Sequence, residues 1–188
     1  NKFNSEAIIE VSHTNKSNSG WDNWGSGSDE GNSINVMVGP RGYSRPSKST
    51  APDYAAGWSF NPITVDLYNA LKPDPRFSAT VVDMKDLKAQ GLADYSPGYK
   101  DTGYFIKKFM PTTADVTTGG GDAVLNYKQN VYVMRLADTY LMEAEALGGT
   151  GARAQALLDA VRSRVKLASV PVSMQAIKDE RRKELAGE

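Results

Sequence analysis

The sequence predicts a mainly α-helical fold, built from helix-turn-helix pairs and carrying an irregular region of loops and short β-hairpins. Three observations point there. Apolar residues beyond Val131 recur at helical spacing in three stretches divided by Gly148-Gly149 and by Pro171. Before that point the chain is rich in Gly, Asn, Ser and Pro with short apolar runs, which concentrates the core in the second half. Finally, two antiparallel helices joined by a glycine turn occupy about one repeat of the ~34-residue helix-turn-helix class, whose apolar face one pair cannot cover. No second copy lies upstream. That face therefore expects a neighbour from the central segment, another subunit or further sequence, and we adopt the last reading.

In chain order, Glu6 to His13 (EAIIEVSH) carries Ile8, Ile9 and Val11 in a β-type run and reads as a strand. Residues 15–33 (NKSNSGWDNWGSGSDEGNS) bury too little apolar surface to offset the entropy of ordering, although two tryptophans stand among them. Ile34 to Val38 reads as a brief strand entering the turn Gly39-Pro40-Arg41-Gly42, and a polar loop then carries Tyr43 and Tyr54 to Trp58. Asn61 as N-cap, with Pro62 at the first helical position, starts a short helix bearing Val65, Leu67, Tyr68 and Leu71 that Pro73 ends. Ala79 to Val82 reads as a strand, and Asp83 to Gln90 as a helix closed by Gly91. Gly103 to Met110 is another strand, and Thr112 to Asp122, with three successive glycines, a mobile connection.

The first long helix is expected over Val131 to Leu147, with Val133, Leu136, Ala137, Tyr140, Ala144 and Leu147 on one face. The second follows Thr150-Gly151 and turns Ala154, Leu157, Leu158, Val161 and Val165 inward. The third starts after Ser173, a good N-cap, and buries Met174, Ile177 and Leu185 beneath an outer surface that is almost all charge. The resulting division is residues 1–130 as the loop and hairpin region, the candidate ligand-binding face, and 131–188 as the helical region, both within one larger domain.

Lys plus Arg and Asp plus Glu number 22 each, without a long basic run, which argues against a nucleic-acid surface and against electrostatic attachment to anionic lipid. No stretch approaches the ~20 apolar residues that span a bilayer. Asn1-Lys2-Phe3 lacks the features of a signal peptide. A start almost directly in a strand, and an end at Gly187-Glu188 inside an unfinished helical segment, read as a fragment of a longer protein. Without Cys, neither disulfides nor thiolate chemistry arise from these residues.

Catalysis is not expected. The one His13 lies on a predicted strand, and no nucleophile elbow, zinc-protease helix, phosphate loop or dinucleotide fingerprint occurs. Asp29-Glu30 in a loop has no fixed separation of the kind a glycosidase needs. Asp22, Asn23, Asp29 and Glu30 offer oxygens for calcium, but their spacing departs from the helix-loop-helix calcium motif, and loop solvation is the preferred reading; no cofactor or metal is expected.

The aromatic residues are the better candidates. A sugar ring has an apolar face and a hydroxyl edge, so its site needs flat aromatic surface beside amides or carboxylates. Trp21 and Trp24 flank Asp22 and Asn23, which places both kinds of group within one turn, and Tyr43 and Trp58 offer a second surface. The bland reading is that a loop tryptophan such as Trp58 covers the core. Arg162, Arg164, Arg181 and Arg182 sit among Asp159, Asp179, Glu180 and Glu184, so a solvated or ion-paired structural role is preferred over an anion site. Glu145, in an apolar Ala-x-Ala setting, is expected to pair with Arg162 or Arg164 across helices.

Three segments in order, Arg135-Leu136-Ala137-Asp138-Thr139-Tyr140-Leu141-Met142-Glu143-Ala144-Glu145-Ala146, Leu158-Asp159-Ala160-Val161-Arg162-Ser163-Arg164 and Glu180-Arg181-Arg182-Lys183-Glu184-Leu185-Ala186, resemble successive signatures of the SusD/RagB family. Asn61-Pro62-Ile63-Thr64-Val65-Asp66-Leu67, Asp74-Pro75-Arg76 and Gly103-Tyr104 before Lys107-Lys108 resemble its middle region. Asp159 and Gly187 depart from it, standing where Asn and an aromatic are usual. The resemblance implies a body of tetratricopeptide-like helical pairs with an irregular face that holds an oligosaccharide, starch or another glycan. It further implies a surface-exposed lipoprotein of the outer membrane of Bacteroidetes, anchored by lipid outside these residues, that delivers ligand to a SusC-like TonB-dependent transporter. A protein-interaction scaffold, or a peptide-binding relative without a glycan site, is the alternative.

Overall fold

The computed structural model describes residues 2–23 and 31–188. Its elements run β1 (Ala7–Val11), α1 (Ile34–Val38), α2 (Val65–Leu71), α3 (Phe77–Thr80), β2 (Val81–Asp83), α4 (Met84–Ala89) and β3 (Tyr104–Ile106). They continue through 3-10 turns at Lys107–Phe109 and Thr113–Asp115 to β4 (Val131–Arg135), α5 (Leu136–Ala146), α6 (Gly151–Arg164) and α7 (Met174–Glu184). The secondary structure is mostly helical with a few short strands. Two compact units result, one from Asn1–Glu10, Ala70–Ser78 and Tyr132–Glu188, the other from Val11–Asn69 and Ala79–Val131.

In the helical unit, α5 packs against α6 and α7. Ala137, Leu141 and Ala144 face Ala154, Leu157, Leu158 and Val161, and Ile177 joins them from α7. These positions recur every three or four residues, so each helix turns one stripe inward, and each fully buried Leu or Ile contributes about 1.5–3 kcal/mol. Gly148 and Gly149 take φ of 73° and 64°, and their N–H groups donate to the carbonyls of Glu145 and Ala144. Only glycine adopts two such left-handed residues cheaply, which is why α5 stops there. At α7, Ser173 Oγ accepts from Ala176 N at 3.1 Å, the expected cap.

The first long helix begins five residues later than its apolar spacing suggested. Val131–Arg135 is strand β4, a neighbour of β1, and α5 opens at Leu136, whose N–H donates to the carbonyl of Glu6. Val131, Tyr132 and Val133 suit a strand, and Val133, placed by helical spacing on the inner face, is exposed.

In the loop unit, β2 and β3 pair antiparallel with Val82 opposite Phe105. Around them Tyr43, Tyr54, Met84, Tyr95 and Met110 form one core cluster, while Val36, Ala55 and Tyr127 form another with Met37 and Trp58 against it. Asp83 caps α4 through its carboxylate, which accepts from Asp86 N at 2.9 Å, and Gly91 closes the end at φ 67°.

Three sequence expectations are corrected in this unit. Ile34–Val38 is a helical turn rather than a strand, because the carbonyls of Val36 and Met37 accept from the amides of Trp58 (2.7 Å) and Phe60 (2.9 Å). Helix α2 starts at Val65, and Thr64, not Asn61, serves its first turn: its Oγ1 accepts from Leu67 N at 3.2 Å.

The third correction joins two segments. Residues 15–19 and the connection 112–122 are joined by hydrogen bonds that the composition of neither segment suggests. Asn15 donates its amide to Val116 O and accepts from Thr118 N, Asn18 Oδ1 accepts from Gly120 N, and Ser19 O accepts from Asp122 N and from Asn126 Nδ2. Hydrogen bonds thus take the place of apolar burial.

Candidate functional site

The site is assembled by the backbone before any ring is placed. The amides of Gly57, Trp58, Ser59 and Phe60 donate to the carbonyls of Pro40, Val36, Gly39 and Met37 at 2.7–2.9 Å, so the segment completes the end of α1. The approach is so close that a Cβ on Gly57 would lie 2.5 Å from Gly39 O, and no other residue fits there. Ser59 is held at φ 59°, uncommon for a residue with a side chain, and is buried, with its Oγ accepting from Arg41 N at 2.7 Å.

This anchored segment carries Trp58 and Phe60 with ring centroids 5.4 Å apart at 48°. A second turn brings the third ring. Gly20 N donates to Asn23 Oδ1 at 2.7 Å and Asn23 N to Gly20 O at 3.2 Å, closing a turn that presents Trp21 and Asp22. The Trp21 ring stacks on Trp58 with centroids 5.8 Å apart and 21° between planes. Trp21 is 50% exposed and Phe60 58%, while Trp58 is half-buried between core and solvent. Three aromatic rings in contact, two of them open to solvent, make an apolar platform.

The structure therefore brings together Trp21, Asp22, Asn23 and Trp58 of the expected residues. Asn23 is exposed, and its Oδ1 serves its own turn. Trp58 packs on the Val36–Tyr127 cluster, and its ring also stacks on Trp21. Trp24 lies outside the described residues, as do Asp29 and Glu30.

Tyr43 is a correction. It is 8% exposed, meets Tyr54 edge-on at 5.6 Å and donates its hydroxyl to Pro52 O, while burial pushes its phenol above the ordinary range. It belongs to the core and offers no second surface. Phe60 was missed. No signal in the sequence marked it, because its contact with Trp58 depends on the left-handed turn of the chain at Ser59 between them.

The arginines of the helical unit are engaged by carboxylates. Glu180 and Glu184, four residues apart on α7, are 1% and 2% exposed. Arg76 reaches Glu180 at 2.7 Å and Glu184 at 2.9 Å while its other nitrogens hold Asp74. Arg135 meets Glu184 at 2.9 Å and Glu188 at 2.7 Å, Arg162 meets Glu180 at 2.7 Å, and Arg164 bridges Glu6 and Glu184.

Burial alone would raise the Glu184 carboxyl, but hydrogen bonds from Arg135 and Arg76 and the charge of Arg164 hold it below the ordinary range. The charged surface expected of α7 is thus partly interior. The pairing expected of Glu145 fails: that residue faces solvent, and Arg162 and Arg164 serve other acids.

Elsewhere, a cleft lined by Ser44, Arg45, Lys88 and Asp94 has its cations matched, Arg45 by Asp53 and Lys88 by Asp94. Among the described residues no group of three His, Asp or Glu is placed to hold a metal, and no helix is long and apolar enough to cross a membrane.

The model of the SusD family matches residues 5–188. Among solved structures, a laminarin-binding SusD-like protein is 66% identical, with a TM-score of 0.96 over 100% of this chain and 41% of its own. Surface glycan-binding protein A from Bacteroides thetaiotaomicron, in complex with laminarihexaose, is 25% identical, with a TM-score of 0.81 over 97% of this chain and 40% of its own. Surface glycan-binding protein A from Bacteroides fluxus is 26% identical, with a TM-score of 0.80 over 100% of this chain and 39% of its own. The chain spans about two fifths of the length of these relatives. Among curated protein sequences no relative matches it.

Proposed function

The chain belongs to the SusD family, and on that premise we propose that it acts as a non-catalytic binding protein for a laminarin-type oligosaccharide. The observation that carries this reading is the anchored platform of Trp21, Trp58 and Phe60, two of whose rings open to solvent beside Asp22 and Asn23. A glucose ring laid on the aromatic surface removes its C–H face from water and leaves its hydroxyls to the flanking polar groups. The 66% identity to a laminarin-binding relative supports glucan over other sugars.

The loop and hairpin region up to residue 130 would carry the ligand, and residues 131–188 would be the tetratricopeptide-like scaffold. As a surface-exposed lipoprotein of the outer membrane, the whole protein would pass its ligand to a SusC-like TonB-dependent transporter. Capture and hand-over require release as well as binding, and the modest affinity of a platform suits that.

The test is electrophoresis through gels containing laminarin, starch and other polysaccharides, with Trp21→Ala and Trp58→Ala beside the unsubstituted chain. Laminarin retards the unsubstituted chain and neither variant, and no reducing ends appear on incubation. Retardation by no glycan would select the protein-contact reading, which the exposed Ile8, Ile9 and Val133 on β1 and β4 favour.

A further inference from the structure

We infer that Arg41 is a ligand-recognising residue of the aromatic platform, donating its guanidinium to the hydroxyl edge of a neutral glycan whose ring face rests on the aromatic rings. The inference rests on the glycan reading above and adds to it a residue that sets specificity.

Arg41 is tied at both ends of its side chain to the segment that carries Trp58 and Phe60. Its backbone bridges to Gly57, its N–H donates to Ser59 Oγ at 2.7 Å, and its Nη2 lies 3.4 Å from the carbonyl of Trp58. That last contact is at the long limit of a hydrogen bond and engages one of the five N–H donors that a guanidinium offers. The side chain is exposed, and among the described residues no carboxylate lies within ion-pair distance of it. Arg76, Arg135, Arg162 and Arg164 are by contrast each held by buried or half-buried acids. A fork of donors left open beside the backbone of Trp58 is suited to vicinal hydroxyls, which accept two parallel bonds.

The neighbouring charge chooses between a neutral and an anionic ligand. Asp22, exposed beside Trp21 in the turn that completes the platform, supplies an acceptor where Arg41 supplies donors. Sugar hydroxyls both donate and accept, so they match a mixed edge. A sulfated or carboxylated chain would gain from Arg41 and be repelled by Asp22.

Isothermal titration of the full chain with laminarihexaose, and with a glucose oligomer of a different linkage, tests this with Arg41→Met and Arg41→Lys. Arg41→Met is expected to weaken laminarihexaose binding about tenfold, the scale of one charge-assisted hydrogen bond lost, and to narrow the preference over the second oligomer. Arg41→Lys, which keeps the charge without the fork, falls between. Thermal melting and tryptophan emission of the free variants report whether the rings stay in place. Unchanged affinity and unchanged preference in Arg41→Met, while Trp58→Ala binds nothing, would overturn the role of Arg41 and leave the glycan reading standing. Tighter binding of sulfated than of plain laminarin would overturn the neutral-ligand assignment, and no binding by the unsubstituted chain would remove the glycan reading itself.

Discussion

The two units bury polar groups in opposite ways. In the helical unit the interior polar groups are charges: Glu180, Glu184 and Asp74 matched by Arg76, Arg135, Arg162 and Arg164. In the loop unit they are amides and hydroxyls. Asn32 donates to Gln129 O, Asn35 to Phe109 O and to Gln129 Oε1, Gln129 to Lys108 O, and Asn126 to Ser19 O and Asp122 O. The reason is where the backbone finds its partners. Helices satisfy their own carbonyls and leave side chains to satisfy one another, whereas irregular chain leaves carbonyls open that only a side-chain donor or another loop can reach. A region rich in Asn, Ser and Gly is thus bonded into shape, and that shape holds the aromatic platform.

The comparison is tested hardest at Glu184, which three guanidinium groups share. Glu184→Gln removes the buried carboxylate that Arg76, Arg135 and Arg164 share, leaving Arg76 to Asp74 and Glu180 and Arg135 to Glu188, and is expected to lower stability by about 3 kcal/mol in urea unfolding. Native-state hydrogen exchange should show the loss in α5 to α7, with little change around β2 and β3. A loss below about 1 kcal/mol would mean the network behaves as a surface one and would dissolve the contrast.

Acid should act on the same network. Asp74 and Glu184 both titrate below the ordinary range: burial opposes this in each, and the hydrogen bonds and charge of Arg76, and for Glu184 also of Arg135 and Arg164, outweigh it. A carboxyl with a folded pKa below its unfolded value gives stability that is complete above the unfolded value, about 4. It is lost as pH falls through the folded value. Urea midpoints should therefore hold nearly level down to about pH 5 and drop below it, and Glu184→Gln should shrink the drop.

The amide side of the contrast predicts a smaller effect. Asn35→Ala removes the donor to Phe109 O and Gln129 Oε1 and should cost about 2 kcal/mol without altering the pH dependence, since no charge is lost. A pH-dependent loss would show that the loop unit also relies on charge.

These differences explain what the sequence disclosed. The three helices of the carboxy-terminal part were legible because Leu157, Leu158 and Val161, like Leu141 and Ala144, repeat at helical spacing and glycine marks the turn. Their ion pairs were not. Arg76 sits 104 residues from Glu180, and nothing local links them.

The same limit hid the order of residues 15–23, whose partners lie at 116–126 and whose stabilisation is hydrogen bonding that composition does not reveal. Trp21 and Trp58 could be singled out by type, because tryptophan in a polar loop is unusual. Their stacking could not be foreseen, nor could the burial of Tyr43, which is decided by Pro52 and Tyr54 and not by its neighbours in sequence.

The smallest effect is expected at Ser59, where the loop unit combines a left-handed backbone with a side-chain hydrogen bond. Ser59→Ala keeps φ near 59° and removes the acceptor for Arg41 N, so it should lose about 1 kcal/mol. Ser59→Gly loses the same acceptor but relieves the Cβ clash of the left-handed conformation, worth about 1 kcal/mol, and should melt close to the unsubstituted chain. The comparison of the two variants separates strain from hydrogen bonding. If glycine is no more stable than alanine, the segment bearing Trp58 and Phe60 is unstrained, and the four amide bonds to residues 36–40 suffice to hold it. If glycine is more stable yet binds laminarihexaose less tightly, the strained serine is what fixes the angle between the two rings.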